Sequence, residues 1–258
     1  MIEQSVNGIP FFEFPNLAAI PGLHHGVFTR RGGCSTGPFQ SLNVALSVTD
    51  NPEHVGMNRA AIARVMGSGP MVFIHQVHGT GVVVFSQSDR EGGGPYPRGV
   101  AEGDAVISNV PGVNLAVQTA DCQAILLHDP VHGVVGNIHS GWRGSIQNII
   151  GHTVARMTAE FGTRASDLLA GIGPSLGPCC AEFIHYRREI PESLWRYRVG
   201  ESHFDFLAMS RDQLQLAGVP AENMAVSNFC TRCRTDLFFS YRAEKTTGRF
   251  AAVIGLAV

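Results

Sequence analysis

NLAVQTADCQAILLHDPVHGVVGNIHS (Asn114–Ser140) holds three apolar runs, Asn114 to Thr119, Gln123 to Leu127 and Gly133 to Ile138, separated only by short polar turns. The runs are strand-length and rich in Val, Ile and Leu without polar alternation, which predicts strands covered on both faces. No helical period intervenes between them, which argues against a doubly wound α/β fold. Helical spacing begins only afterwards. A start near Gly144 or Ser145 opens an apolar stripe of Ile146, Ile149, Ile150, Val154, Met157 and Phe161. Strands in series followed by a helix predict an α+β fold, a layered sandwich with a mixed β-sheet flanked by helices.

Outward from this stretch the same grammar repeats. Strands are expected at Gly26 to Thr29, Met71 to Ile74, Val82 to Phe85, Ala105 to Ser108, Leu168 to Ile172 and Ala251 to Leu256. Asn51-Pro52-Glu53 combines an N-cap, a proline at the first helical position and an early carboxylate, and Gly67 closes that helix. A third helix is expected from about Phe206 to Ala217. Residues 87–99, with Gly92-Gly93-Gly94-Pro95 and Pro97, read as a surface excursion within a single domain spanning residues 1–258.

Three apolar runs end in groups that bind metals: His75-Gln76-Val77-His78-Gly79, Thr119-Ala120-Asp121-Cys122, and His139-Ser140-Gly141-Trp142-Arg143-Gly144. Strand ends can deliver His78, Cys122 and His139 to one point. Two imidazoles and a thiolate suit Zn²⁺, and three protein ligands with an open fourth position describe a catalytic site. Cu²⁺ is the possible alternative ion, by the affinity order of divalent metals. His75 is expected near the cavity without touching the metal. Asp121, next to the thiolate, can orient a ligand imidazole or move a proton. Arg143 presents an anion-binding fork at the mouth of a helix.

Composition narrows the function classes. A formal net charge of -2 in 258 residues gives no electrostatic case for nucleic acid or an anionic membrane. Met1-Ile2-Glu3-Gln4-Ser5 has neither the basic start nor the apolar core of a signal peptide, so a cytoplasmic protein is expected. Lys245 is the only lysine, which leaves anions to arginine and backbone amides and argues against Schiff-base chemistry. The adjacent Cys179-Cys180 and the spaced Cys230-Thr231-Arg232-Cys233 read as small buried residues in tight loops. A four-cysteine zinc site is the alternative, disfavoured because adjacent cysteines chelate one tetrahedral ion poorly. Phe238, Phe239 and Tyr241 read as core.

Together with His25-Gly26-Val27-Phe28-Thr29-Arg30, Ser41-Leu42-Asn43, Gly171-Ile172-Gly173-Pro174-Ser175 and Phe239-Ser240-Tyr241-Arg242, the three metal-type runs resemble the bacterial laccase-domain family. That family is variously described as polyphenol oxidase, purine nucleoside phosphorylase or peptidoglycan editing factor. The resemblance runs from about His25 to Ile254, with His-Ser-Gly-Trp-Arg-Gly here where His-Ala-Gly-Trp-Arg-Gly is usual. It implies the same layered architecture, His78, Cys122 and His139 as the metal ligands, and Asp121 as catalytic; Arg143, at the helix mouth, is expected to be catalytic as well. Arg30, Asn43, Arg59 and Gln76 are expected to bind substrate.

The activity that the resemblance implies is zinc-dependent phosphorolysis of adenosine, inosine and 5′-methylthioadenosine, with adenosine deamination as a second reaction. The expected partners are therefore a small nucleoside and phosphate. A copper-dependent polyphenol oxidase is one alternative, weakened because the chain has no H-x-H pair to build a multicopper cluster. A hydrolase that edits wrongly made peptidoglycan precursors is another and would use the same residues.

Overall fold

The computed structural model describes residues 1–67, 69–91 and 101–258. Fourteen strands run in chain order: β1 (Ile2–Val6), β2 (Ile9–Glu13), β3 (Leu23–Phe28), β4 (Met71–Phe73), β5 (Val82–Val84), β6 (Ala105–Ser108), β7 (Asn114–Thr119), β8 (Gln123–Asp129), β9 (Val134–Ser140), β10 (Leu169–Ile172), β11 (Arg198–Val199), β12 (His203–Phe204), β13 (Met224–Val226) and β14 (Phe250–Leu256). The helices are α1 (Pro15–Ala18), α2 (Pro52–Val65), α3 (Gln87–Glu91), α4 (Trp142–Ile146), α5 (Ile149–Phe161), α6 (Tyr186–Glu189), α7 (Phe206–Leu216) and α8 (Tyr241–Glu244).

Two mixed sheets form where one was expected, in the orders β1-β2-β3-β14-β7-β4 and β13-β10-β8-β9-β6-β5. Their facing sides share one core, in which Leu115, Val117, Phe250 and Ala252 of the first sheet meet Val106, Ala124, Leu126 and Val135 of the second. The outer face of the second sheet packs Ile107, Ile125 and Leu127 under Ile150, Val154 and Met157 of α5 and Leu214 of α7. The outer face of the first sheet packs Phe28, Phe73 and Val253 under Ile62 of α2, with Met66 just past its end. The molecule is thus a four-layer sandwich. This explains the unbroken apolar runs, since β6, β8 and β9 are buried at every position.

Helix signals held where local chemistry was strong. Asn51 accepts a hydrogen bond from the Glu53 amide at 2.8 Å, Pro52 is the first helical residue, and Gly67 takes φ +83°. The helix expected from Gly144 to Phe161 is divided. Asn148 adopts φ 60° and caps α5 by accepting from Gly151 N at 3.1 Å, so α4 and α5 are separate. The apolar stripe crosses the break although Ile146 of α4 packs against Tyr186, Phe204 and Phe206 while the α5 residues pack on the second sheet, and only the backbone of Asn148 reveals the interruption. In the 87–99 excursion, Gln87–Glu91 is helical, and residues 92–99 lie outside the described residues. No helix among the described residues is long and apolar enough to cross a membrane.

Candidate active site

Sheet order explains why His78, Cys122 and His139 meet. β8 and β9 are antiparallel, with Ala124 opposite His139, so the start of β8 and the end of β9 share one edge of the sheet. β6 is antiparallel to β9 and pairs Ala105 with Ile138, which puts Asp104 at the same edge. β5 runs parallel to β6 and brings its entry loop there as well. Cys122 precedes β8, His139 lies near the end of β9, and His78 sits in the loop entering β5. Their ligand atoms all fall within 4.8 Å of one another. Cys122 Sγ lies 3.9 Å from His78 Nε2, and the two imidazoles meet edge to face at 4.9 Å.

Asp104 organises this edge. Its carboxylate accepts from the amides of Val77 at 3.3 Å, His78 at 2.9 Å and Gly79 at 2.6 Å. It also accepts from His139 Nδ1 at 2.9 Å, which turns His139 Nε2 towards the other ligands. The amides hold His78 at φ 61°, a left-handed backbone that an imidazole residue adopts only when its surroundings enforce it. Asp104 therefore takes the imidazole-orienting role that the sequence offered to Asp121. The sequence carried no signal for it, because Glu102-Gly103-Asp104 resembles any turn before a strand.

Asp121 is held differently. Its carboxylate accepts from Thr231 Oγ1, Ser240 Oγ and the Arg242 amide, each at 2.6 Å, and its own φ is 92°. Asp121 and Cys122 thus sit on a strained turn tied down by two distant loops. Burial would push the Cys122 thiol up, but the charges and hydrogen bonds of His139 and then His78 outweigh it and bring the thiol down to about 6. Burial would lower His139, yet the Cys122 thiolate and Asp104 raise it to about 9. The two shifts run in opposite directions because each charged form favours the other. A soft divalent ion fits this donor set, replacing the shared proton. The backbone also fits: a Cβ at Gly141 would stand 2.7 Å from His78 Cδ2 and 3.3 Å from Cys122 Sγ, so glycine leaves the ligands room.

The ligands line a cavity of about 750 Å³, within the range of small-molecule sites. Gln76 lies in its wall, donating to Gln118 O and accepting from Gln118 N, both at 2.9 Å. Arg143 also faces the cavity, with its guanidinium 4.5 Å over the Trp142 ring and in no ion pair among the described residues. Arg242, Lys245 and Arg249 line it too, which the sequence reading missed because they lie far along the chain from the ligand runs. Burial pulls the Arg249 guanidinium down, against the opposing pull of Cys122, Asp121 and Tyr241. Trp142, Phe183, Phe206 and Tyr241 supply apolar and aromatic wall.

Other expected substrate residues are structural. Arg30 donates to Thr235 O and pairs with Glu244 at 2.8 Å while covering the Phe239 ring, away from the cavity. Asn43 is fully buried, donating to Asp50 and accepting from the amides of Ala45 and Arg249. Arg59 stacks 3.9 Å over Phe73 and donates to Val44 O. Arg30 and Arg59 direct their guanidiniums to backbone carbonyls, and Asn43 directs its amide to Asp50 and to neighbouring backbone. His75 bridges Glu102 through its backbone and lies outside the cavity wall. Phe238 and Phe239 are core as expected, but Tyr241 is 53% exposed and borders the cavity.

Comparison with known proteins follows the same lines. Residues 24–257 match the family model described as multi-copper polyphenol oxidoreductase laccase. Purine nucleoside phosphorylase YlmD of Geobacillus stearothermophilus is 37% identical over 248 residues, covering 91% of this chain and 90% of that protein. The purine nucleoside phosphorylase of Deinococcus radiodurans is 37% identical over 261 residues, covering 96% and 94%. The crystal structure of YlmD from Geobacillus stearothermophilus superposes with a TM-score of 0.86 at 35% identity, covering 99% of this chain and 98% of that one. The chain belongs to the multi-copper polyphenol oxidoreductase laccase family, and it is similar to relatives that carry the name purine nucleoside phosphorylase.

Proposed function

We propose that the chain is a zinc-dependent purine nucleoside phosphorylase, with His78, Cys122 and His139 as the ligands. The observation that carries this reading is Arg143, in no ion pair among the described residues, on the wall of the same cavity as the three-residue cluster. An anion fork beside an open cation site is what a reaction with inorganic phosphate requires. Held by these three residues, a Zn²⁺ would supply Lewis acidity to the cavity they line.

The remaining roles fall to side chains. Arg143 holds phosphate for attack on the anomeric carbon, with Arg242 and Arg249 adding positive charge to the same cavity. A phosphate oxygen bonds to C1′ as the C1′–N9 bond breaks, the electron pair leaves with the purine, and the phosphate proton neutralises the departing base. Asp121 accepts from all three of its partners, so its proposed role is a fixed negative charge facing the electron-poor ribosyl carbon. Gln76, fixed on Gln118, offers the substrate a rigid amide edge. Trp142, Phe183 and Tyr241 give the purine a stacking wall, which is tolerant of the base and of the 5′ substituent. Adenosine, inosine and 5′-methylthioadenosine are accordingly the proposed substrates, and hydrolytic deamination of adenosine the proposed second reaction.

The test is to incubate zinc-loaded protein with inosine while varying phosphate. Equimolar hypoxanthine and ribose 1-phosphate, at a rate that saturates with phosphate, is the expected result. No base release at any phosphate level, together with oxidation of a phenol by copper-loaded protein or amino-acid release from a cell-wall precursor, would replace this reading.

A further inference from the structure

Outside the cavity wall, Cys179, Cys180, Cys230 and Cys233 bring their four sulfur atoms within 4.8 Å of one another. The topology causes this. β10 and β13 are parallel neighbours with Ile172 opposite Val226, and the pairing continues past both strands as a bridge between Ser175 and Cys230. Their exit loops therefore leave the sheet side by side. One carries the adjacent pair and the other the C-x-x-C turn. The objection that adjacent cysteines diverge is met by the turn before them, where Cys180 N and Ala181 N both donate to Gly177 O, at 2.9 and 3.0 Å. As a result Cys179 Sγ and Cys180 Sγ lie 3.8 and 3.6 Å from the same Cys233 Sγ. A tetrahedral zinc with bonds of about 2.3 Å to sulfur has sulfur–sulfur edges of about 3.8 Å.

Two further features suit a metal. Arg232 Nη1 lies 3.5 Å from Cys180 Sγ and offsets the excess negative charge of four thiolates around a divalent ion. A Cβ at Gly177 would stand 3.2 Å from Cys230 Cβ and 3.3 Å from Cys179 Sγ, so the glycine lets the two loops close on the cluster. The expectation of small buried residues fails here, because Cys179 and Cys233 are exposed.

We propose that Cys179, Cys180, Cys230 and Cys233 form a second metal site, a structural tetrathiolate that takes Zn²⁺. It is closed, unlike the three-ligand centre, and it sits where it fixes the geometry of that centre. Thr231, between the two ligands of the C-x-x-C turn, donates to Asp121 at 2.6 Å and takes Ser175 O as its amide partner. Arg242, whose amide also holds Asp121, donates to Cys180 O at 3.3 Å.

The test is metal stoichiometry of the whole chain, purified under reductant and loaded with zinc or cobalt. Wild type is expected to bind two equivalents, and both the Cys122→Ala variant and the Cys230→Ser/Cys233→Ser variant one each. With cobalt, the thiolate charge-transfer absorption of the Cys122→Ala protein should be about four times that of the double variant, four thiolates against one. Zinc should also protect every cysteine except Cys34 from alkylation. A single equivalent in wild type that disappears in Cys122→Ala would overturn the proposal, as would alkylation of Cys179 and Cys233 at the same rate with and without zinc. If the double variant does not fold, the Cys122→Ala protein decides alone: one equivalent with the strong absorption supports the site, and none refutes it.

Discussion

Asp104 gathers three amides and one imidazole onto two oxygens and so ties the loop that enters β5 to the end of β9. Asp104→Asn keeps the shape but puts a donor where an amide or imidazole already donates. Zinc affinity at the His78, Cys122 and His139 centre should fall roughly 10–100-fold, read by chelator competition. Unchanged affinity would mean that the strands alone aim the ligands. His25 supplies a second prediction, independent of the metal. It is buried and accepts from Phe14 N at 2.8 Å through Nε2, and burial lowers it to about 4. The folded protein thus resists a proton that the unfolded chain takes up near 6.5, so this residue costs stability as pH falls from about 6.5 to 4, and nothing further below. The loss is on the order of 3 kcal/mol. His25→Gln retains an acceptor for Phe14 and should flatten the fall in melting temperature between pH 7 and pH 5. An equal fall in both proteins would place the acid sensitivity elsewhere.

At the scale of elements, the break between α4 and α5 rests on one residue. Asn148 combines a left-handed backbone with a cap on Gly151, two things asparagine does better than most residues. Asn148→Ala should lower unfolding stability by about 2 kcal/mol in denaturant titration, whereas Asn148→Gly should lower it by less than half of that. Equal losses would show the cap to matter and the backbone strain not to. This break also marks the limit of reading elements from pattern. The cores of β6, β7 and β8 and the start of α2 were legible because their signals, apolar runs and an Asn-Pro-Glu start, are local. The N-terminal hairpin β1–β2 was missed although Asn7-Gly8, at φ 52° and 77°, is a strong turn signal, because the mostly polar and exposed β1 did not read as a strand. The division into two sheets was not legible at all, since strand order depends on pairings far apart in sequence, such as Val253 with Gly26 and Ala116. The same holds for the site. The metal-type ligands could be picked out by residue type, but Asp104, Arg242 and Arg249 acquire meaning only from the sheet edge and the loops that meet there.

For the whole molecule, the four-layer sandwich leaves one end of the second sheet open, and the 750 Å³ cavity occupies it. The metal-type residues and the cations Arg143, Arg242 and Arg249 line the same cavity but are different side chains, so the two functions can be separated by mutation. Arg143→Ala should raise the phosphate concentration needed for half-maximal inosine phosphorolysis at least about tenfold, the cost of losing one charge-assisted contact, while leaving adenosine deamination nearly unchanged. Equal losses in both reactions would assign Arg143 to the nucleoside or to the fold. The convergence of three strand ends on one open metal centre underlies all of these roles, and zinc-edge anomalous diffraction from crystals of the zinc-loaded protein tests it most directly. The expected result is an anomalous peak about 2.0–2.3 Å from His78, Cys122 Sγ and His139, with its fourth position facing the cavity. A zinc-loaded crystal with no peak among these three residues, or with one held by only one of them, would contradict it.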